Sequence, residues 1–268
     1  MSGALQDWKS QKKPFAAVAT APVFWLGLFF IAPMTIVWLY SFGQNAGPAD
    51  ISISGTLDNY KRATEWLYLS IFLKSFAVAA LTTLICLIIG FPVAMAITFA
   101  APKWRPWLLL GIMLPFWTNL LIRTYAWITI LSKDGLLNAL LVGSGILTEP
   151  LALLYTPFAI VLGLVYNFLP FMILPIYTSV EKLDNALIEA AYDLGAGPVR
   201  AFSQVIIPLT RPGIAAGAML VFIPSIAMFA ITTLMGGGSN PTIGEVIFKQ
   251  FTSGRNQPFG AALGTLLL

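Results

Sequence analysis

The feature that most constrains this chain is a series of five apolar runs, each long enough to cross a lipid bilayer as a helix. The hydrocarbon core of a bilayer is about 30 Å thick and requires about 20 apolar residues per helix. Hydrophobic residues make up 58% of the chain and charged residues only 10%, whereas soluble domains contain about 25% charged residues. A soluble core would not bury so much apolar surface, so we predict an all-α polytopic membrane bundle. The runs cover residues 18–42, 71–100, 107–131, 156–180 and 205–235.

A sixth apolar run begins at Pro258 and stops at Leu268, where the chain ends. As a helix it would rise only about 16 Å, so we expect six transmembrane helices, the last one incomplete in this chain. The predicted organisation is an N-terminal segment (1–17), the first transmembrane helix (18–42), a polar loop (43–70) and a domain of five further helices (71–268).

The distribution of Lys and Arg indicates the orientation, because cytoplasmic loops are enriched in both residues. The first run is longer than the apolar region of a signal peptide, about 7–15 residues, so we take it as a retained anchor. With the N-terminus inside, eight Lys and Arg lie in inner segments and six in outer segments. We therefore predict a cytoplasmic N-terminal segment and a periplasmic loop 43–70.

The composition argues against an enzyme. The chain has no His and a single Cys, Cys86, inside an apolar run. No disulfide framework, metal cluster or nucleophile with an acid–base partner is therefore indicated, and we predict no catalytic residue, no metal ligand and no bound cofactor. The phosphate-binding pattern G-x-x-x-x-G-K-[ST] is absent as well, which argues against ATP hydrolysis by this chain. The net charge of +4 is scattered and does not indicate nucleic-acid binding.

Between the fourth and fifth runs lies a charged, small-residue segment, "EKLDNALIEAAYDLGAGPVRAFSQVIIP", residues 181–208. Asp184 is placed to cap a helix with apolar residues on one face. Gly195 and Gly197 are expected to stop this helix, and Pro198 to begin a second short one. On composition alone, the segment is either an interfacial amphipathic linker or a docking element for a cytoplasmic partner.

The order of residues in this segment resembles the EAA loop of ABC importer permeases of the binding-protein-dependent, MetI-like type. That pattern is E-A-A, three residues, G, nine residues, then I-x-L-P. Three further stretches, "LPFWTNLLIRTYAW", "LVYNFLPFMILPIYTSVEKLD" and "RNQPFGAAL", are similar to the first permease of spermidine/putrescine importers. Val205 and Ile207 are apolar substitutions within the EAA pattern, and the matching positions are Glu189, Ala190, Ala191, Gly195 and Pro208.

The resemblance implies a bacterial inner-membrane permease that works by alternating access. Its implied partners are a second, similar permease, two cytoplasmic ATPase subunits that use ATP-Mg, and a periplasmic solute-binding protein. Glu189 and Asp193 would then contact the ATPase, Ala190 and Ala191 would permit close packing, and Gly195 would make the turn. The implied substrate is a small cation, with a polyamine such as spermidine or putrescine as the best candidate.

Prolines and polar residues within the runs mark a candidate translocation pathway. Proline in a span frees backbone carbonyls, which is tolerated against protein or a water-filled cavity, and the fourth and fifth runs carry Pro170, Pro175, Pro208, Pro212 and Pro224. Kinked packing and lipid contact remain the alternatives for each residue, and Arg123 either snorkels to headgroups or serves as a gate or partner contact. The pathway candidates are Trp117, Asn119, Arg123, Tyr125, Tyr166, Asn167, Ser225, Thr232 and Thr233.

One departure bears on the substrate. Polyamine-transporting relatives often carry an acid just before the "LMGG" stretch of the fifth run, where this chain has Thr232 and Thr233. An opine, an amino-acid derivative or another small zwitterion therefore stays open as an alternative. An ion-gradient secondary transporter is the alternative of another class, but it would be expected to carry ionisable groups in its spans, and Arg123 is the only charge well inside one of these runs.

Overall fold

The structure is a computed structural model that describes residues 12–46, 51–238 and 240–268, and only the backbone of 12–17. Most of the predicted N-terminal segment, residues 1–11, therefore lies outside the described residues, as does part of the loop 43–70. The described residues divide into two compact units, the first of 12–46, 51–66 and 247–268 and the second of 67–238 and 240–246. The membrane-bundle prediction is confirmed, because five helices are long and apolar enough to span a bilayer. These are Val18–Ser41, Trp66–Phe99, Leu120–Gly143, Pro157–Glu181 and Pro198–Ala227.

The first unit contains the N-terminal membrane helix and the end of the chain. The N-terminal helix consists of α1, a π-helical turn (Gly27–Ile31) and α2. Asn59 ties down the end of α2 by donating to the carbonyls of Ser41 and Gly43 at 3.0 and 2.8 Å. The elements are α1 (Lys12–Leu26), α2 (Ala32–Ser41), β1 (Gly43–Asn45), β2 (Ile51–Ile53, antiparallel to β1), α3 (Asp58–Ala63) and α14 (Gln257–Leu267), with the second half of α13 (Ile243–Phe251).

Helix α14 supplies most of the buried apolar residues described in this unit. Phe259, Ala262 and Leu263 are fully buried, and α14 packs against α2 and α3. The guanidinium carbon of Arg62 lies 4.4 Å from the centre of the Phe259 ring, a cation–π distance. The short helix before Leu268 is therefore well packed, although it is too short to span a bilayer.

The second unit is built around α8, the most buried of its helices. Helix α8 packs chiefly against α11 and α12, and also against α5 and α6. The elements of this unit are α4 (Trp66–Phe99), α5 (Arg105–Trp117), α6 (Leu120–Leu131), α7 (Leu136–Gly143), α8 (Pro157–Glu181), α9 (Asn185–Asp193), α10 (Pro198–Ala201), a π-helical turn (Phe202–Ile206), α11 (Ile207–Ala227), α12 (Ala230–Gly236) and the first half of α13.

Small residues bring α8 and α11 into close contact. A Cβ at Gly213 would overlap the Ser179 hydroxyl and lie 2.6 Å from the Pro175 carbonyl oxygen, and a Cβ at Gly217 would lie 2.9 Å from the Met172 sulfur. Small residues at such positions let the backbones of membrane helices approach each other. These contacts form the α8–α11 seam.

Two runs expected as continuous helices are interrupted. The third run breaks at Thr118 and Asn119, which have extended backbone, and the Asn119 side chain caps α6 by accepting from the Leu121 amide at 2.8 Å. The fifth run breaks at Met228 and Phe229, because Met228 is extended with ψ 117°. Both breaks place polar backbone groups inside apolar runs, which is expected only against protein or a cavity.

Candidate coupling surface and translocation pathway

The charged segment folds as a short helix, a tight turn and a second helix, as its residues predict. Asp184 caps α9 by accepting a hydrogen bond from the Ala186 amide at 3.0 Å. Leu183 and Ile188 pack against the apolar core of the second unit. No residue of α9 is buried. The helix is therefore anchored along one narrow edge and presents the rest of its surface outward.

Gly195 forms the turn after α9. Its φ is +81°, a left-handed conformation that favours glycine. The Gly195 amide donates to the Tyr192 carbonyl at 2.9 Å, and the Ala196 amide donates to the Ala191 carbonyl at 3.0 Å. This pair of bonds is a Schellman motif. Gly197, expected to help stop the helix, is instead extended with φ −74° and ψ 167°, so Gly195 alone requires glycine here.

Charged and apolar groups share the outward face of this segment. Glu189, Ala190 and Asp193 are exposed, and Ala191 is half-buried. Leu194 is 89% exposed and Val199 is 81% exposed, on either side of the turn. Two large apolar side chains are thus exposed on the same segment as the carboxylates of Glu189 and Asp193. Leu194 directly follows α9 and precedes the Schellman turn, so it does not belong to the edge of the helix that packs against the core.

The second half of the segment connects the turn to the membrane helices. Ala201 is buried, and the Phe202 ring lies edge-on to Phe91 of α4 with ring centres 5.4 Å apart. The π-helical turn before α11 lets the Ile207 amide bond to the Phe202 carbonyl. Pro208 follows immediately. Because proline has no amide hydrogen, it cannot donate a helical hydrogen bond, and the wider turn before it tolerates this loss. We name residues 184–202 the coupling element; it contacts α4 through Phe202 and continues into α11.

A polar cavity of about 210 Å³ lies behind the coupling element, between the ends of α4, α5, α8 and α9. In α8, the Tyr177 hydroxyl donates to a Glu181 carboxylate oxygen at 2.6 Å. The Arg105 Nε donates to the Ala100 carbonyl at 3.1 Å, just after the end of α4. Arg105 and Glu181 line the cavity together with Asn185 at the start of α9. The cavity therefore brings polar groups from the ends of four helices to one place.

Among the pathway candidates, the aromatic residues differ in environment. Trp117 is 69% exposed and Tyr125 is 56% exposed, while Asn119 serves as the cap of α6. Tyr166 is half-buried and lies edge-on to Trp127, with ring centres 5.5 Å apart. The exposed members face outward from this unit, where lipid or another subunit would contact them.

Arg123 is enclosed by protein. The side chain is 9% exposed, and its guanidinium carbon lies 5.5 Å from the centre of the Phe116 ring. Phe116 is in turn edge-on to Phe171 of α8. Within the described part of the chain, the Arg123 Nε has no hydrogen-bond partner. The cation is therefore packed against an aromatic face within this unit.

Of the remaining polar candidates on α8, α11 and α12, Asn167, Ser225 and Thr232 are buried and Thr233 is half-buried. The Asn167 amide donates to the Gly163 carbonyl at 2.8 Å, and the Ser225 hydroxyl donates to the Val221 carbonyl at 2.6 Å. Both groups thus bond within their own helix. The Thr232 hydroxyl lies 3.0 Å from the Met228 carbonyl at the break and accepts from Thr242 at 3.0 Å.

Sequence reasoning missed a carboxylate at the break in the fifth run. Glu245, in the first turn of α13, is 0% exposed. The neighbouring Gly244 lies so close to Ala227 that a Cβ there would overlap the Ala227 carbonyl. Glu245 lies outside the five apolar runs, so hydropathy alone does not place it in the membrane domain. The available signal was the stretch "TIGEVIF", in which a single acid stands among apolar residues.

Comparisons with known proteins identify similar chains in sequence and in fold. No family model matches the chain. It is 43% identical over 250 residues to the spermidine/putrescine transport system permease protein PotB of Haemophilus influenzae, covering 93% of this chain and 87% of that protein. It is 44% identical over 243 residues to PotB of Escherichia coli K12, covering 91% and 88% of the two chains.

Solved structures show the same fold at low sequence identity. A bacterial ABC transporter that imports the acidic polysaccharide alginate has a chain that aligns with TM-score 0.74 and 17% identity, over 98% of this chain and 92% of that chain. The alginate transporter in complex with its pentasaccharide-bound periplasmic protein aligns with TM-score 0.77 and 16% identity, over 97% and 91% of the two chains.

Proposed function

Because this chain belongs to the PotB family of spermidine/putrescine transport permeases, which are membrane subunits of ABC importers, we propose that it carries polyamines into the cell. The observation that carries the proposal is the 43–44% identity over about nine-tenths of the chain. This identity extends through the membrane helices and is not confined to the coupling element.

The proposed mechanism places the energy source outside this chain. The coupling element, with Leu194 and Val199 outward beside Glu189 and Asp193, has the chemistry of a surface that seats in a groove of an ATPase subunit. Its proposed partners are two cytoplasmic ATPases, which bind and hydrolyse ATP-Mg, a second permease and a periplasmic solute-binding protein. Closure of the ATPases around ATP displaces the coupling element. That displacement reaches α11 and α8 and switches the bundle from inward-open to outward-open.

The proposed orientation has the N-terminus and the coupling element in the cytoplasm. The chain is a multi-pass membrane permease, and the bias of Lys and Arg supports this orientation. The solute-binding protein then meets the opposite face and delivers the substrate.

The test is uptake in a bacterial strain that lacks its own polyamine importers. This chain is expressed with the ATPase, second permease and binding protein of its own importer, and uptake of labelled spermidine and putrescine is measured. We expect saturable uptake that requires every subunit and stops when ATP is depleted. Uptake of an opine or amino-acid derivative that excess polyamine does not compete would replace the polyamine assignment. Transport by this chain alone on an ion gradient would contradict the importer mechanism.

A further inference from the structure

The break between α11 and α12 lies within the membrane domain and is packed on one side by a segment that folds back. After α12, the chain returns so that the Ile243 amide donates to the Ser75 hydroxyl at 2.8 Å. Ser75 is nine residues into α4, about 14 Å along that helix. The Lys74 ammonium donates to Asn240 of the same returning segment at 2.7 Å. These two bonds therefore hold the first turn of α13 beside α4, about 14 Å from the start of that helix.

Gly244 brings this turn into direct contact with the end of α11. A Cβ at Gly244 would overlap the Ala227 carbonyl oxygen and lie 3.3 Å from the Met228 carbonyl carbon. Any larger residue would push α13 away from the break. The contact holds the first turn of α13 against the carbonyl end of α11, and the next residue in that turn, Glu245, is fully buried.

The break combines several groups that attract a cation. Helix α11 has 21 residues, and the last carbonyls of a helix carry the negative end of its dipole. Glu245 is a fully buried acidic residue, and acidic residues are rare in a membrane domain and usually functional. Thr232 and Thr242 add hydroxyls 3.0 Å apart, and the buried Thr233 hydroxyl has no hydrogen-bond partner among the described residues.

We propose that Glu245, the carbonyl end of α11 and the hydroxyls of Thr232 and Thr242 form a subsite that binds an ammonium group of the substrate during its passage. This inference rests on the proposed function, because it assigns the recognition of a cationic substrate to named residues. Helix ends interrupted within a membrane coordinate cations in this way in other transporters.

The subsite is closed in this structure, because Glu245 is 0% exposed. The extended residue Met228 and the seven-residue helix α12 form a joint that can open it, since hinges are a few residues at element ends that absorb a backbone change. The ammonium group thus reaches the carboxylate only in the conformation in which α12 has moved from α11.

The first experiment measures uptake kinetics in the complete importer. Glu245→Gln keeps the shape and removes the charge, and Glu245→Asp keeps the charge. Glu65→Gln is the matched control, because Glu65 is an exposed acid just before α4. We expect Glu245→Gln to lower kcat/KM for spermidine at least about tenfold, as for the loss of a hydrogen bond to a charged group. Glu245→Asp should retain more activity than Glu245→Gln, and Glu65→Gln should match wild type.

A purely structural role for Glu245 would act through the amount or stability of the protein. The amount of each variant in the membrane and its co-purification with the ATPase are therefore measured in parallel. The double variant Glu245→Gln with Thr233→Asp moves the carboxyl group from α13 to α12. We expect this double variant to recover part of the spermidine uptake, and recovery is not expected if only the packing of Glu245 matters.

The outcomes separate the two proposals. If wild-type importer takes up no polyamine, the proposed function fails and the ammonium subsite falls with it. If wild type imports spermidine and Glu245→Gln has the same kcat/KM, only the subsite is overturned. The third outcome is that Glu245→Gln is poorly inserted in the membrane and the double variant with Thr233→Asp does not restore uptake per inserted complex. Glu245 is then structural, and the subsite is again overturned.

Discussion

Gly195 in the turn of the coupling element provides a direct test of the coupling mechanism. Its φ is +81°, and a side chain in this left-handed region costs about 1–2 kcal/mol. A Cβ at Gly195 would meet no atom within 4 Å, so the backbone conformation is the whole penalty of Gly195→Ala. One to two kcal/mol changes an equilibrium by a factor of about 5–30. We therefore expect the equilibrium constant for forming the docking-competent turn to fall by that factor.

Gly197 is the matched control, because it stands two residues away with an extended φ of −74° and likewise has nothing within 4 Å of a Cβ. Gly197→Ala should therefore leave the turn unchanged. Gly195→Asn should fall between glycine and alanine, since asparagine tolerates the left-handed region better than most residues. The expected order of activity is wild type and Gly197→Ala, then Gly195→Asn, then Gly195→Ala.

The assay is ATP hydrolysis stimulated by the loaded binding protein, in importer reconstituted into nanodiscs, together with the Kd between permease and ATPase. Gly195→Ala should weaken the association about 5–30-fold and lower the stimulated ATPase rate, with normal membrane insertion. Equal behaviour of Gly195→Ala and Gly197→Ala would refute the reasoning, because it would show that the left-handed turn is not required for docking.

Three further substitutions test other parts of the structure. Gly213→Ala should destabilise the protein by about 1–3 kcal/mol by overpacking the α8–α11 seam, measured by thermal unfolding in detergent, whereas Gly111→Ala, with open space around it, should be neutral or stabilising. Leu194→Ser should weaken ATPase binding by about 1.5–3 kcal/mol if Leu194 is buried there; Leu57→Ser, equally apolar and 57% exposed, should not. Asp184→Ala should cost about 0.5–2 kcal/mol of α9 stability and reduce stimulated ATPase activity, while Asp184→Asn should retain the cap, and equal loss in both would contradict a capping role.

The sequence predicted the parts of the fold that depend on local pattern. Long apolar runs specify membrane helices because the bilayer admits few alternatives, and Asp184 as a cap follows from its position before a helical pattern. The break at Asn119 was not predicted, because a cap and extended backbone inside an apolar run leave no change in hydropathy.

The environments of individual side chains needed the structure. Gly195 and Gly197 are equivalent in sequence, and only the backbone shows which one is left-handed. The burial of Arg123 against Phe116 depends on the packing of two helix segments separated by a break. Glu245 is buried because the chain folds back after α12, which is a long-range event that no local pattern encodes.

The α8–α11 seam also limits how sequences of this kind can diverge. At this seam Gly213 lies against Pro175 and Ser179, and Gly217 lies against Met172. A larger residue on one side leaves no room unless the opposite side becomes smaller at the same time. Residues 172 and 217, and likewise 179 and 213, are therefore expected to covary among homologous chains. A substitution that enlarges one helix at this seam should be accompanied by one that makes the facing residue smaller.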